Sequence, residues 1–291
     1  MNSNKRKIIP SETPTKDLHQ FLIGSVGPRP IAFVSTIDEN GVANLAPYSF
    51  FNAFSSNPPI LVFSSNRRVS NNTTKDTLHN VTATREAVVN VVSYDIVRQM
   101  SLASVEFDPD VNEFDKVGLT PTAADIVSAP MVAESPVNME CKIQDIITLG
   151  EGGGAGHLII CDVVRMHIAE SVLDGDRIDP DKIDLMGRMG RSYYVRASGA
   201  AIHSIYQSVV AEVIGFDGLP EFIRHSHWLT GNQIAQIAGC KALPDADVVT
   251  AAKSALKDLT TAQWQSAIIE DLANERAESA LIKLLAMPQT N

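Results

Sequence analysis

The pair Asn40-Gly41, set between two short apolar runs, constrains this chain more than any other feature. Pro30 to Ile37 reads PIAFVSTI, rich in β-branched residues, and Val42 to Pro47 reads VANLAP. Asn-Gly accepts positive φ at little cost, so the two runs predict a β-hairpin that turns over Asp38-Glu39-Asn40-Gly41. The return strand is expected to stop at Pro47, which has no N–H to give to a ladder. A third strand is expected over Ile60 to Ser64 (ILVFS), after the turn residues Asn57-Pro58-Pro59. Ala87 to Val92 and two long runs, Val137 to Ile147 and His157 to Ala169, bring the count to at least six strands before residue 170. Between them the sequence predicts only short helices, TLHNV behind an Asp76 N-cap and a second around Tyr94 to Ala103. That pattern suits a mainly β, antiparallel barrel, closed or split, rather than alternating βαβ units.

After about residue 200 the character changes. Leu243-Pro244-Asp245 opens a helical pattern near Val248 to Leu256, and Thr260-Thr261-Ala262-Gln263 has the form of a capping box. Ile268, Leu272, Ala280, Leu281 and Leu284 recur at helical spacing and make one apolar face. The expected organisation is a β domain over 1–200 and a mostly helical extension over 201–291.

With 291 residues and 44% hydrophobic side chains the chain can bury a real core. Its formal net charge of -10 excludes a general nucleic-acid or anionic-membrane binder, because both need a basic surface. Cys141, Cys161 and Cys240 have no CxxC spacing and no histidines at zinc-ligand intervals, so they read as reduced thiols in a cytoplasmic protein. The N-terminal stretch lacks the apolar stretch of an export signal, and no run reaches the eighteen apolar residues of a spanning helix.

Two segments can carry chemistry. The first is the polar loop Ser64-Ser65-Asn66-Arg67 through Lys75, which leads into the helix start Asp76-Thr77. Hydroxyls, cations and free N–H groups at a helix N-terminus are what a phosphate monoester needs, although a solvated connection has the same composition. The second is Ala46-Pro47-Tyr48-Ser49-Phe50-Phe51-Asn52, an extended segment able to lay amides and a hydroxyl along a flat polar ring, or equally to form an ordinary core edge. GEGGGAG precedes a strand instead of following one, so it is not a dinucleotide fingerprint. DGDRIDPDKID lacks the glycine and terminal glutamate of a calcium loop and reads as a solvated acidic turn. His225, His227 and Trp228 read as surface or packing residues, so no metal site is expected.

The order of GPRPIAFVST, NGVANLAPYSFFNAFSSNPPILVFSS, KDTLHN, GHLIICDVV and LMGRMGRSYY, over roughly residues 18–198, resembles the flavin reductase-like, FMN-binding split-barrel family (flavoredoxin-like). The resemblance implies a Greek-key split β-barrel with FMN at a homodimer interface. It implies a flavin ring along Ala46, Pro47, Tyr48, Ser49 and Phe50, with Arg29 near the ring edge. The phosphate is implied to lie at Ser64, Ser65, Arg67, Lys75 and Thr77, with Thr36 close by. Asp76 is expected to cap the helix instead of touching the anion, because a carboxylate would repel it. His157 is implied to sit beside the flavin in a catalytic position, and Tyr193-Tyr194 either to form an aromatic lid or to pack in the core. The implied activity is hydride transfer from NADH or NADPH to flavin and onward to a small-molecule or protein electron acceptor. The alternatives are a substrate-specific flavoenzyme and an FMN-binding electron carrier that reacts slowly with nicotinamides.

Overall fold

The computed structural model describes residues 4–108, 111–205 and 212–288. The chain divides into two compact units, Met1–His203 and Ser204–Asn291. The first unit is built on one seven-stranded antiparallel sheet: β1 (Ala32–Ile37), β2 (Ala43–Tyr48), β3 (Phe51–Ser56), β4 (Pro59–Ser64), β5 (Glu86–Val91), β6 (Val137–Thr148) and β7 (His157–Ile168). Their order across the sheet is β2-β1-β5-β6-β7-β4-β3.

The two edge strands, β2 and β3, are consecutive in the chain and joined by Ser49-Phe50 alone. Three virtual bonds span at most about 11 Å, so the sheet has to bend round until its edges approach at that point. No ladder joins β2 to β3 among the described residues. The result is a split barrel and not a closed one.

The curl gives the sheet two buried faces. Inside lie Val34, Tyr48, Phe63, Val89, Cys141 and Ile159. Phe33, Leu45, Val92, Met100 and Phe114 form a second core against the opposite side of β1, β2 and their neighbours. β1 is therefore buried on both faces from Ala32 to Thr36, which is why Ala32, Phe33 and Val34 are apolar in succession instead of alternating, with the buried hydroxyls of Ser35 and Thr36 after them. Phe33, fully buried, contributes on the order of 2 to 3 kcal/mol by leaving water.

Several elements differ from the sequence expectation. Strand β2 continues through Pro47, which pairs with Phe33 and is tolerated because β2 is an edge. Strand β3 is an additional strand inside the segment expected only to be extended; Asn52 to Ser56 are exposed, so it carries no apolar alternation to detect. Asp76 does not cap: Lys75 is the N-cap of α2 (Asp76–Thr84; α1 is Thr15–Ser25), has an extended backbone and makes no side-chain cap bond. The span Tyr94 to Ala103 begins as a 3-10 turn, Tyr94–Ile96, and is helical over Val97–Leu102. Helix α1 was not expected.

The proline-punctuated stretch before β6 is held by acceptors from the sheet. Glu140, fully buried, accepts from the backbone N–H groups of Asp125 (3.1 Å), Ile126 (2.6 Å) and Val127 (3.0 Å) and bonds His167 Nε2 (2.7 Å). Asn90 Oδ1 accepts from Val132 N–H at 3.0 Å. Burial pushes the Glu140 carboxyl up, but His167 and the three N–H groups outweigh it and hold the pKa at about 2.

The second unit, considered by itself, contains helices Gly231–Ala238, Ala246–Ala255, Thr261–Ala273 and Ala277–Ala286. Ile268, Leu272, Ala280, Leu281 and Leu284 pack in its core with Leu219, Ile223 and Ile237. The expected capping box at Thr260 and Gln263 is formed, and a second joins Thr230 to Gln233. Asp271 is buried, paired to Lys283 (2.6 Å) and Arg276 (2.9 Å). No helix among the described residues is long and apolar enough to cross a membrane.

Because its folded pKa lies below the unfolded one, Glu140 stabilises the fold above the ordinary carboxylate range, and that contribution fades as pH falls from about 4.5 towards 2. Glu140→Gln is expected to cost roughly 3 kcal/mol at neutral pH and to flatten the loss of stability across that acid window. Urea unfolding at several pH values measures both; an unchanged acid slope contradicts the assignment.

Candidate functional site

Strand β4 runs straight into the polar loop, and the loop keeps pairing with the glycine turn that precedes β7. Ser65 N–H donates to His157 O (3.1 Å), His157 N–H to Ser65 O (3.2 Å), Arg67 N–H to Ala155 O (2.8 Å) and Gly154 N–H to Arg67 O (3.0 Å). The turn has to be small to do this. A Cβ on Gly156 would lie 2.5 Å from Ser64 Oγ, and one on Gly153 3.2 Å from the carbonyl oxygens of Arg68 and Val69; Gly154 has φ +90°. GEGGGAG is thus a close-packing turn. Ser64 Oγ donates to Asn66 Oδ1 at 2.7 Å.

Beneath this loop, α2 and the start of β2 bring polar groups together. Thr77 Oγ1 donates to Asn44 Oδ1 (2.7 Å), and Asn80 Nδ2 donates to Thr36 Oγ1 (3.0 Å), which itself lies 3.5 Å from Asn44 Oδ1. Asn44 Nδ2 in turn donates to Glu113 Oε1 at 2.9 Å. Thr36 and Thr77, expected near one anion, are therefore linked through Asn44.

Tyr48 points into the barrel against Phe63, 5.1 Å between ring centres. Burial raises its phenol pKa to about 12, with the Thr77 and Ser65 hydroxyls opposing that rise. Neither the Tyr48 hydroxyl nor the Ser65 hydroxyl has a well-formed hydrogen bond, although both are buried. The Lys75 ammonium stands 4.9 Å from the Tyr48 ring centre and has no ion pair among the described residues. Burial lowers the Lys75 pKa, the neighbouring Arg68 lowers it further, and Glu106, paired to Arg68, opposes them in part.

The two arginines of the loop differ in their commitments. Arg67 is bound to Asn72, by Nε to Oδ1 (2.7 Å) and by Nη2 to the carbonyl oxygen (2.6 Å), and so braces the loop. Arg68 is tied to Glu106 (2.9 Å) and to Thr73 (2.9 Å) and lies close enough to Lys75 to perturb it. Asp76 sits in the first turn of α2.

The Ala46 to Phe50 segment ends β2 and forms the linker. Ala46 pairs with Val34 and Pro47 with Phe33; Ser49 and Phe50 are half-buried. Arg29, only 6% exposed, donates through Nη1 to Ile23 O (2.7 Å) and Val26 O (2.5 Å), through Nη2 to Met189 O (3.3 Å) and through Nε to Ser49 Oγ (3.4 Å). It thereby closes the C-terminal end of α1, where the helix dipole is negative. His157 is buried, with Nδ1 3.1 Å from Ser65 O. Tyr193 is 66% exposed and outside either core, whereas Tyr194 packs against the second core.

An open cleft of about 380 Å3 follows the outer side of β3 and β4 to the glycine turn, lined by Phe50, Asn52, Phe54, Val62, Ser64 and Leu158 among others. No charged side chain lines it. Of the residues expected at the site, only Phe50 and Ser64 border the cleft. Lys75, Thr77, Ser65 and Thr36 gather around Tyr48 and Asn44 instead.

The sequence singles out Asn66 only as part of the polar loop and gives no sign of the parts played by Asn44, Arg68, Asn80 and Phe54. Arg68 was discoverable as the neighbour of Arg67, but nothing in the sequence says which of the two is spent on loop bracing. The asparagines act through contacts distant in sequence and carry no local signal. The acidic run resolves into local bonding: Asp179 caps the short helix Pro180–Ile183, Asp184 pairs with Arg196 and Asp181 accepts from Gly199 N–H.

With this geometry in place, comparison with known proteins is informative. The model of the flavin reductase like domain matches residues 25–182, and the chain belongs to that family. An uncharacterized protein of Aquifex aeolicus is 38% identical over 194 residues, 66% of this chain and 96% of the relative. Among solved structures, nitrilotriacetate monooxygenase component B from Bacillus cereus is 32% identical, covers 70% of this chain and 98% of its own, and superposes with a TM-score of 0.64. The 2-nitrobenzoate 2-nitroreductase of Pseudomonas fluorescens is 28% identical over the same shares, with a TM-score of 0.62. The chain is thus a flavin reductase-like split-barrel protein, carrying after its matched region a helical unit with its own core.

Gly156→Ala is expected to destabilise the protein by about 1 to 3 kcal/mol, since the new methyl has to displace Ser64 or part the loop from the turn. Denaturant unfolding checks this. Gly152→Ala, at a position with open space, is the control expected to change little.

Proposed function

We propose that the protein is an FMN-dependent oxidoreductase that takes a hydride from NADH or NADPH and passes electrons to a small-molecule or protein acceptor. The observation that carries this reading is Lys75, a half-buried ammonium with no ion pair among the described residues, set beside two buried hydroxyls that lack well-formed hydrogen bonds. A buried cation and orphaned donors together are costly unless an anion completes them. A phosphate monoester fits that donor set. Lys75 and the Ser65 hydroxyl would hold it, with Arg68 adding positive charge and Thr77 offering its backbone N–H at the start of α2, since its hydroxyl is donated to Asn44. Arg67 supports the loop that carries them.

The ring of the flavin is assigned to the Ala46 to Phe50 segment, where the edge of β2 offers backbone groups that no other strand uses. When bound, the flavin supplies the hydride chemistry. The protein's own part is to orient it, to hold the Ser49 hydroxyl through Arg29, and to fix His157 beside Ser65 so that one imidazole nitrogen is committed to a backbone oxygen. The uncharged cleft of Phe50, Phe54 and Leu158 supplies an apolar wall for a planar reactant.

A homodimer is part of the proposal. Leu158 and Ile160 lie on the side of β7 away from the barrel core, and past the bulge at Val164 the strand exposes Val164, Met166 and Ile168, each at least 36%, with Met166 opposite Met139 and Ile168 opposite Val137. Strand β3 is an exposed edge carrying Phe54, which is 67% exposed. Exposed apolar side chains on one strand and an unpaired edge two strands away are surface that a second copy would cover. The names of the solved relatives, a monooxygenase component and a nitroreductase, support an oxidoreductase role but leave the acceptor open.

Lys75→Met is expected to weaken FMN binding about 10- to 100-fold while changing riboflavin binding little, since only FMN carries the phosphate. Fluorescence titration of both ligands measures this, and equal losses contradict the phosphate assignment. Sedimentation of the flavin-loaded protein should give a dimer; a monomer that retains flavin contradicts the shared interface.

A further inference from the structure

Arg188 has no task in the reading so far. It ends strand β8 (Leu185–Arg188), which pairs with β9 (Tyr194–Ala197). An isolated antiparallel bridge joins it to Arg29: Arg188 N–H donates to Arg29 O at 2.8 Å and Arg29 N–H to Arg188 O at 2.9 Å. Directly opposed residues of an antiparallel pair project their side chains to the same face. The two guanidiniums therefore share a face, and Arg188 is the charge that, after burial, lowers the Arg29 pKa.

Their bonding differs. Arg29 is engaged with three carbonyl oxygens and Ser49. Arg188, half-buried, lies 4.5 Å above the Tyr194 ring centre and has neither an ion pair nor a side-chain hydrogen bond among the described residues. The contact with the ring leaves the guanidinium N–H groups without a partner among the described residues, and a guanidinium so disposed can bind a carboxylate or phosphate in two-point fashion.

The local charge points the same way. Residues 185–203 carry Arg188, Arg191 and Arg196 and no Asp or Glu, in a chain of net charge -10. Arg196 is spent on Asp184. Two guanidiniums on one face without an acid between them repel each other until an anion joins them. That face borders the ring segment, since the Arg29 guanidinium reaches Ser49 and lies 5.8 Å from the Phe50 ring centre.

We propose that Arg188 selects substrates by an anionic group, a carboxylate or phosphate carried by the molecule that exchanges electrons with the flavin. The proposal rests on the flavin assignment above. Two molecules offer that chemistry, the nicotinamide donor and the acceptor, and separate arms of one experiment distinguish them. In the donor arm, flavin-loaded protein is reduced by NADH or by uncharged 1-benzyl-1,4-dihydronicotinamide. In the acceptor arm, protein reduced with dithionite is reoxidised by a carboxylate-bearing benzoquinone or by uncharged p-benzoquinone.

Arg188→Gln should raise the half-saturating concentration of the anionic member about 10- to 100-fold in at least one arm, and far less for the neutral member. Arg188→Lys should recover part of the loss, and the FMN dissociation constant should stay as in the parent. A readout apart from activity is phenylglyoxal labelling of Arg188, followed by peptide mass and expected to slow in the presence of benzoate or inorganic phosphate. Equal losses for anionic and neutral members in both arms, or labelling indifferent to the anions, overturn the proposal. A protein that binds no flavin defeats the functional reading itself, while the labelling still decides whether Arg188 binds anions.

Discussion

Ser49 and Phe50 are the only residues between the two edges of a seven-stranded sheet, and the geometry of the first unit follows from that brevity. A longer link would let β2 and β3 lie far apart on a flatter sheet, whereas two residues oblige the sheet to curl. The curl turns Tyr48 and Phe63 inward to face each other and leaves β3 outside as an exposed edge. It also places the end of β2, the polar loop after β4 and the start of α2 around one another. The polar loop is then fixed by its antiparallel pairing with the glycine turn, which only small residues permit.

The interior assembled in this way is rich in charge and hydroxyl groups, and their satisfaction is uneven. Acidic groups are well served: Glu140 takes three backbone N–H groups and a histidine, and Glu113 takes Leu45 N–H and Asn44. Cations at the loop and at the Arg29 bridge are not, since Lys75 and Arg188 find only aromatic faces. Cation–π contact softens the cost of desolvation but does not replace a counter-charge. In a chain of net charge -10, two cations without an ion pair among the described residues are places where an anionic ligand can complete the charge.

Much of the fold was legible. The Asn40-Gly41 hairpin, the strands β1, β4, β5, β6 and β7, and the apolar face of the tail helices all carry local periodic signals that packing upheld. Strand β3 was hidden because it is exposed on both sides and shows no alternation. Pro47 misled because its missing N–H matters only in an interior strand, and whether a strand is an edge is a property of the whole sheet. Asp76 looked like a cap by residue type, yet it is the first helical residue and the N-cap position falls on Lys75. In the candidate site, the residues beside α2 were recoverable from their order in the sequence. Asn44, Asn80 and Arg68 were not, because their roles depend on contacts that only the curled sheet creates.

The most direct test of a flavin held at Lys75 and along Ala46 to Phe50 is an anaerobic visible titration of the purified protein with FMN, followed by NADH and then NADPH. The account predicts that the protein binds FMN and that one of the two nicotinamides bleaches the flavin bands promptly. A protein that binds no FMN, or holds FMN that neither nicotinamide reduces while dithionite does so at once, contradicts it.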